Sequence, residues 1–253
     1  MIPNRALWHS IGHAISAFFG EIPGTETRFY ESGWSVCTGE PVVDFNCASV
    51  YGTESAAQAL EQIAQVFADR QVPFMLSMAE EVARQLEDQA KRLGLRNAGG
   101  ASLMCLKSAS LEPGEAPPGL TVHRADESCL VEFADLASTI FSLPRDSVAK
   151  VFVPSLLAKD QLALYLARSN GAPAGVTILS LDGDKVGVWC MGTAPNFRRR
   201  GIGRALLLAA MEKHHTADTT FFLTPTPEGR KLYEKVGFRD VTRGQAWTNL
   251  PIS

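Results

Sequence analysis

Apolar residues along the first third of the chain alternate between two spacings. Leu7, Ile11, Ile15 and Phe18 recur at helical intervals, and Arg5, His9 and His13 interrupt the apolar run, which predicts an amphipathic helix packed on the body of the protein. Two strands follow, Trp34 to Cys37 and Pro41 to Val50, around the turn Thr38-Gly39-Glu40. Ala56, Leu60, Ile63 and Val66 share one face of a helix from Ser55 to Asp69. A short strand at Pro73 to Ser77, a helix from Ala79 to Leu93 stopped by Gly94, and a strand at Ser102 to Leu106 complete this part.

The periodicity breaks between Ala109 and Gly119, where three prolines and two glycines suit neither helix nor strand. The expected organisation is a domain of residues 1–110, a linker at 111–118 and a second domain of residues 119–253. In the second part a strand is expected at Leu120 to Arg124, with helices at Glu127 to Phe141 and Arg145 to Leu157. Three strands joined by short turns follow, at Gln161 to Arg168, Gly175 to Leu181 and Lys185 to Gly192. Then come a helix from Gly201 to His214, a strand at Thr220 to Leu223, a helix from Pro227 to Val236, and a strand within Phe238 to Trp247. The two parts share an outline of hairpin, helix, strand, helix ending at Gly, and strand. Arg92-Leu93-Gly94-Leu95 stands where Lys235-Val236-Gly237-Phe238 stands in the second part. Coincidence between two α/β segments explains that outline almost as well.

Composition narrows the classes. The chain has 253 residues, which fits two domains better than one. Its 45% hydrophobic and 20% charged residues suit cores and exclude a disordered chain. A net charge of -3 argues against a general nucleic-acid partner. The five cysteines form no Cys-x-x-Cys pair, so reduced thiols in a cytoplasmic protein are expected, without disulfides or a metal site. No stretch is long and apolar enough to span a membrane.

The first candidate chemistry is the run Thr193-Ala-Pro-Asn-Phe-Arg-Arg-Arg-Gly-Ile-Gly203. A strand ends, a turn containing Pro195 follows, and an apolar helix begins at Gly201. Such a start presents free backbone N–H groups and the positive end of a helix dipole to an anion. Gly201 and Gly203 have no Cβ, so a phosphate can approach the backbone, and Arg198, Arg199 and Arg200 can donate charge-assisted hydrogen bonds. A solvated arginine run and two packing glycines are the plainer alternative. A dinucleotide loop would need six-residue Gly spacing in a parallel βαβ unit, and the preceding strands here are antiparallel.

The second is Thr224-Pro-Thr-Pro-Glu-Gly-Arg-Lys-Leu-Tyr-Glu-Lys-Val-Gly-Phe238. Thr226 suits an N-cap, Pro227 the first helical position and Gly237 a C-cap. Gly229, one turn before Tyr233, leaves room beside the ring. The plainer reading of Tyr233 is a core aromatic with its hydroxyl satisfied at the edge.

Together the two runs resemble the signatures of the GNAT superfamily of N-acetyltransferases. Arg198-Arg199-Arg200-Gly201-Ile202-Gly203 is similar to its Arg/Gln-x-x-Gly-x-Gly/Ala acyl-CoA loop, and Leu232-Tyr233-x-x-x-Gly237-Phe238 to its second motif. The resemblance covers the last 135 residues or so. It implies a mixed α/β GNAT fold, with a central, mostly antiparallel sheet flanked by helices. The smaller α/β domain before it resembles a degenerate partner domain of two-domain members, and it has no phosphate loop.

The resemblance also implies acetyl-CoA as co-substrate, with no metal. Met191 and Thr193 would hold the pantetheine arm, and the segment Arg198 to Arg204, including Ile202, the diphosphate. It implies direct attack of an amine in a ternary complex, an oxyanion held by a backbone N–H near Met191, and Tyr233 as general acid. Where many members have Asn or Ser after the fifth strand, this chain has Thr224-Pro225-Thr226. The base stays open among Glu132, Asp135, His123, Tyr165 and a water chain. Cys190 is a covalent nucleophile or a small core residue, and His214 and His215 read as favourable contacts with a helix end. The acceptor is a small-molecule or peptide amine, and a homodimer stays open. A non-catalytic acyl-CoA-binding protein on the same fold is the alternative.

Overall fold

The computed structural model describes residues 4–111 and 114–251. Residues 112 and 113 of the expected linker, and residues 1–3 and 252–253 at the ends of the two expected domains, lie outside the described residues. The chain forms two compact units, one of the residues up to Met104 together with those from Asp240 onward, the other Cys105–Arg239.

In the first unit, helix α1 (Asn4–Phe19) precedes strands β1 (Glu26–Tyr30), β2 (Gly33–Cys37) and β3 (Cys47–Val50). Helix α2 (Ala56–Arg70), β4 (Met75–Ala79), α3 (Glu80–Arg92) and β5 (Arg96–Lys107) follow, and the unit is completed by β11 (Arg239–Thr248). β1, β2 and β3 pair antiparallel, β3 and β4 parallel, and β4 and β11 antiparallel. Leu60, Ile63 and Phe67 of α2 pack with Leu76, Met78, Leu86 and Trp247 in the core. Phe67 and Phe74 stack there with centroids 4.1 Å apart. α3 carries Glu80 and Glu81 in its first turn and Lys91 and Arg92 in its last, matching both ends of its dipole.

The second unit holds β6 (Leu120–Arg124), α4 (Leu130–Phe141), α5 (Arg145–Ala149), α6 (Pro154–Leu157), β7 (Leu162–Ser169), β8 (Ala172–Asp182) and β9 (Lys185–Thr193). Helix α7 (Ile202–Glu212), β10 (Thr220–Leu223) and α8 (Pro227–Val236) complete it. β6 to β9 form an antiparallel meander, and β10 joins β9 in parallel after the α7 crossover. A methyl group at Gly175 would lie 3.2 Å from Leu206, which is how closely α7 rests on β8. The last residues of β5 belong to this unit, with Lys107 Nζ donating to Thr220 Oγ1 at 2.6 Å and Ser108 N to Thr219 O at 2.9 Å.

Four elements differ from the sequence expectation. β1 was not foreseen, and its alternation is weak because it is only half-buried. The turn at Thr38 to Glu40 is the start of a longer connection, closed by buried Asn46, whose side chain accepts from Thr38 N at 2.9 Å and donates to Glu40 O at 2.7 Å. The helix expected over Arg145 to Leu157 is two short helices, since Pro154 has no N–H to continue the first and starts the second. The last strand, counted by sequence with residues 119–253, pairs Trp247 with Leu76 and so completes the first unit.

Candidate active site

β8 and β9 pair Val176 with Gly192 and Ile178 with Trp189. Between those pairs β9 sets two residues, Cys190 and Met191, against Thr177 alone. This is a β-bulge, and Cys190 takes the left-handed φ of 46° that it requires. Thr177 Oγ1 donates to Trp189 O at 3.3 Å and so ties the strand just before the bulge. A bulge re-aims the amides that follow it, here those of Met191 and Gly192.

On its other side β9 parts from β10. Their parallel pairing runs only from Lys185 opposite Thr220 to Gly187 opposite Phe222. β9 continues through 188–193, whereas β10 adds only Leu223. The backbone of that stretch runs past the end of the ladder with β10.

At the mouth of this opening, α7 begins at Gly201 with φ 78° and no side-chain cap. By contrast, Thr226 Oγ1 caps α8 by accepting from Gly229 N at 3.2 Å. The first turn of α7 is therefore not capped by a side chain of its N-cap residue. A methyl group at Gly203 would lie 3.0 Å from Thr193 Oγ1 and 3.6 Å from both Met191 Cε and Leu232 Cδ2. The end of β9, the start of α7 and α8 thus converge on one glycine.

The three arginines are not equivalent. Arg198 Nε donates to Thr193 O at 3.1 Å and braces the turn, and Arg200 lies 5.7 Å from the centroid of the Phe197 ring. Arg199, exposed at φ 64°, makes no such contact among the described residues. Ile202 is buried in the core, so it offers only its backbone to an anion. The Arg204 guanidinium lies against Gly114 of the chain crossing.

Tyr233 is buried at 8% exposure, edge-on to Phe238 with centroids 5.9 Å apart. Gly229 makes the space, since a methyl group there would lie 3.1 Å from the Tyr233 ring. Burial pushes the phenol up to about 12, so it stays protonated at neutral pH. Burial also pushes the Cys190 thiol up to about 12, which leaves almost no thiolate for nucleophilic attack.

The remaining polar candidates are engaged. Glu132 forms a two-pronged ion pair with Arg168, and Asp135 pairs with Arg145 at 2.5 Å. Tyr165 Oη lies 2.7 Å from His214 Nε2, and burial raises the one and lowers the other. His215 Nδ1 is 3.1 Å from Ser108 Oγ. His123 sits on β6 opposite Leu166. Thr226 is occupied as a cap, which leaves exposed Thr224 as the free hydroxyl after β10. Among the described residues no three His, Cys, Asp or Glu side chains cluster to hold a metal ion, and no helix is long and apolar enough to cross a membrane.

Sequence reasoning missed Gly192. A methyl group there would lie 2.3 Å from Ile140 and 3.1 Å from Phe141, so the C-terminal end of α4 seats directly on the bulged strand. A glycine inside a strand pattern is the signal that announces such an approach.

Residues 160–240 match the family model of the acetyltransferase (GNAT) domain. The chain is similar to a probable N-acetyltransferase of Mycobacterium tuberculosis, 30% identical over 101 residues, covering 38% of this chain and 58% of that protein. It thus spans little more than half the length of that relative. Among solved structures, a GCN5-related N-acetyltransferase from Kribbella flavida superposes with a TM-score of 0.69 at 19% identity, over 95% of this chain and 96% of the other. A tandem GNAT protein from the clavulanic acid biosynthesis pathway gives 0.61 at 15% identity, over 91% and 85%. These likenesses show the mixed α/β GNAT fold.

Proposed function

We propose that the protein is an acyl-CoA-dependent N-acetyltransferase that moves an acetyl group from acetyl-CoA to a primary amine in a ternary complex. The observation that carries this reading is the parting of β9 from β10 beyond Gly187, directly ahead of an uncapped, glycine-lined helix start. The open edge of 188–193, with Met191 and Thr193, suits the amides of a pantetheine arm. The first amides of α7, at Ile202, Gly203 and Arg204, suit a diphosphate, with Arg199 the arginine freest to reach it.

The amine nitrogen attacks the thioester carbon, and its carbonyl oxygen becomes an oxyanion accepting from an amide at the Cys190–Met191 bulge. The C–S bond breaks as the amide C–N bond is completed. Tyr233 gives its proton to the departing thiolate, and the extra proton on the attacking nitrogen of the tetrahedral adduct leaves through water or a base of the acceptor side. The high thiol pKa of Cys190 favours this direct route over an acyl-cysteine. Free, reduced cysteines suit a cytoplasmic setting.

The first unit is proposed as a degenerate GNAT-like domain that binds no coenzyme A. Its β3 pairs along its whole length with β4, from Cys47 opposite Met75 to Val50 opposite Met78, so no wedge opens there. Helix α2 follows Glu54 and Ser55 rather than arginines. Titration of coenzyme A into the full chain by calorimetry tests the reading, followed by turnover of acetyl-CoA with a panel of amines. One site of binding, with release of free thiol, is expected. Binding without turnover of any amine would point to a sensor instead, and no binding would overturn both.

A further inference from the structure

The chain crossing before β6 does more than join elements. Gly114 lies so close to α7 that a methyl group on it would come within 2.0 Å of the Arg204 guanidinium and 2.7 Å of Leu208. Three residues on, Pro117 faces Gly201, its Cγ 3.4 Å from where a methyl group on that glycine would stand, an ordinary contact distance. Gly201 is the N-cap of α7 and Arg204 belongs to its first turn, so the crossing touches both sides of the amides proposed to take the diphosphate.

The segment is also stiff and anchored. Pro117 and Pro118 have fixed φ. Leu120 N donates to Pro117 O at 3.1 Å, and Asn170 N donates to Gly119 O at 2.9 Å. Gly119, at φ 73°, packs under the Asn170 side chain in the β7–β8 turn. The strap is thus fixed at its far end to the meander and rests its near end on the helix start.

We infer that residues 114–118 form a positioning strap, which holds the uncapped start of α7 in register for the diphosphate of coenzyme A. Gly201 lacks a capping side chain and a restrictive Cβ, so nothing in the residue itself holds it at φ 78°, and Pro117 bounds the space on one side of it. The strap acts through Gly201 and Arg204, so it sets affinity for the diphosphate and leaves recognition of the thiol arm unchanged. This inference rests on the acyl-CoA reading above.

The test uses the full chain with Pro117→Gly, Pro117→Ala and Gly114→Ala, and measures binding of coenzyme A and of pantetheine, which has the same thiol arm but no diphosphate. Loss of preorganisation in Pro117→Gly is expected to weaken coenzyme A about tenfold, with pantetheine affinity unchanged and the melting temperature lowered slightly by the freer unfolded chain. Pro117→Ala should fall between that variant and wild type. Gly114→Ala, which pushes on Arg204 from the opposite end, should weaken coenzyme A in the same selective way, and it carries the test if Pro117→Gly does not fold. Wild-type affinity for coenzyme A in the folded variants, or an equal loss for pantetheine, would overturn the strap. Failure of the wild-type protein to bind coenzyme A would instead remove the reading on which it rests.

Discussion

Burial moves Tyr233 and Cys190 in the same direction, with opposite chemical consequences. Each group is held in its neutral form. For a proton donor that is the working form, while for a nucleophilic thiol it is the idle one. Tyr233→Phe keeps the ring against Gly229 and Phe238 and removes only the proton. General acid catalysis is commonly worth about 10² to 10⁴ in rate, and a loss of that size is expected in single turnover. Coenzyme A affinity should stay at the wild-type value. Cys190→Ala should leave that rate nearly intact, and a loss comparable to that of Tyr233→Phe would restore the covalent route. The pH profile offers a separate check. With the phenol raised to about 12, the acid stays loaded through pH 10. A descending limb of the single-turnover rate near pH 8 to 9 that Tyr233→Phe abolishes would contradict that assignment.

Among the elements, the end of α4 and the bulged part of β9 act as one piece, because Gly192 leaves no gap beneath Ile140 and Phe141. Gly192→Ala inserts a methyl group into an occupied place and is expected to cost about 1–3 kcal/mol, the usual range for overpacking. Urea unfolding measures this, and Ile140→Ala in the same chain should recover part of it. No recovery would mean that the strain lies in the backbone of β9 rather than against α4. The two signature runs were legible because glycines at α7 and α8 and the cap at Thr226 are local facts of the chain. The parting of β9 from β10 was not legible, since a strand sequence does not record where its neighbour stops. Arg198 suggested a phosphate ligand by its type, and Arg204 through the family resemblance. Their actual partners, Thr193 O and the residues around Gly114, are set by turn geometry and by a distant crossing. The destination of β11 was hidden for a similar reason. Its apolar alternation announces a strand, but only packing of Trp247 against the core around Leu76 decides which unit it joins.

At the scale of the whole molecule, each unit is completed by a strand that the linear domain division assigns to the other. β11 brings Trp247, 1% exposed, into the first unit, and Cys105–Lys107 lies beside β10 in the second. A fragment of residues 119–253 would carry β11 without β4 and lack the strand end beside β10. It is expected to show no cooperative unfolding transition, and Trp247→Ala in the full chain should cost about 3–5 kcal/mol, as large aromatic truncations in cores do. A fragment that melts sharply and binds coenzyme A would refute this dependence. The same burial makes the full chain sensitive to alkali. Cys47 and Cys190 are raised from 9.0 to about 12, Cys105 to about 11 and Tyr233 from 10.0 to about 12, in every case chiefly by burial. A group with a raised folded pKa contributes its stability in full below its unfolded pKa and loses it as pH climbs toward the folded one. The urea midpoint should therefore be flat with respect to these groups up to about pH 8.5 and fall between about pH 9 and 12, as the unfolded chain releases protons that the folded chain retains. Cys47→Ala with Cys190→Ala should shallow that fall, whatever the two substitutions do to the midpoint at pH 7. An unchanged slope in the double variant would mean that these thiols ionise in the folded protein as readily as in the unfolded chain.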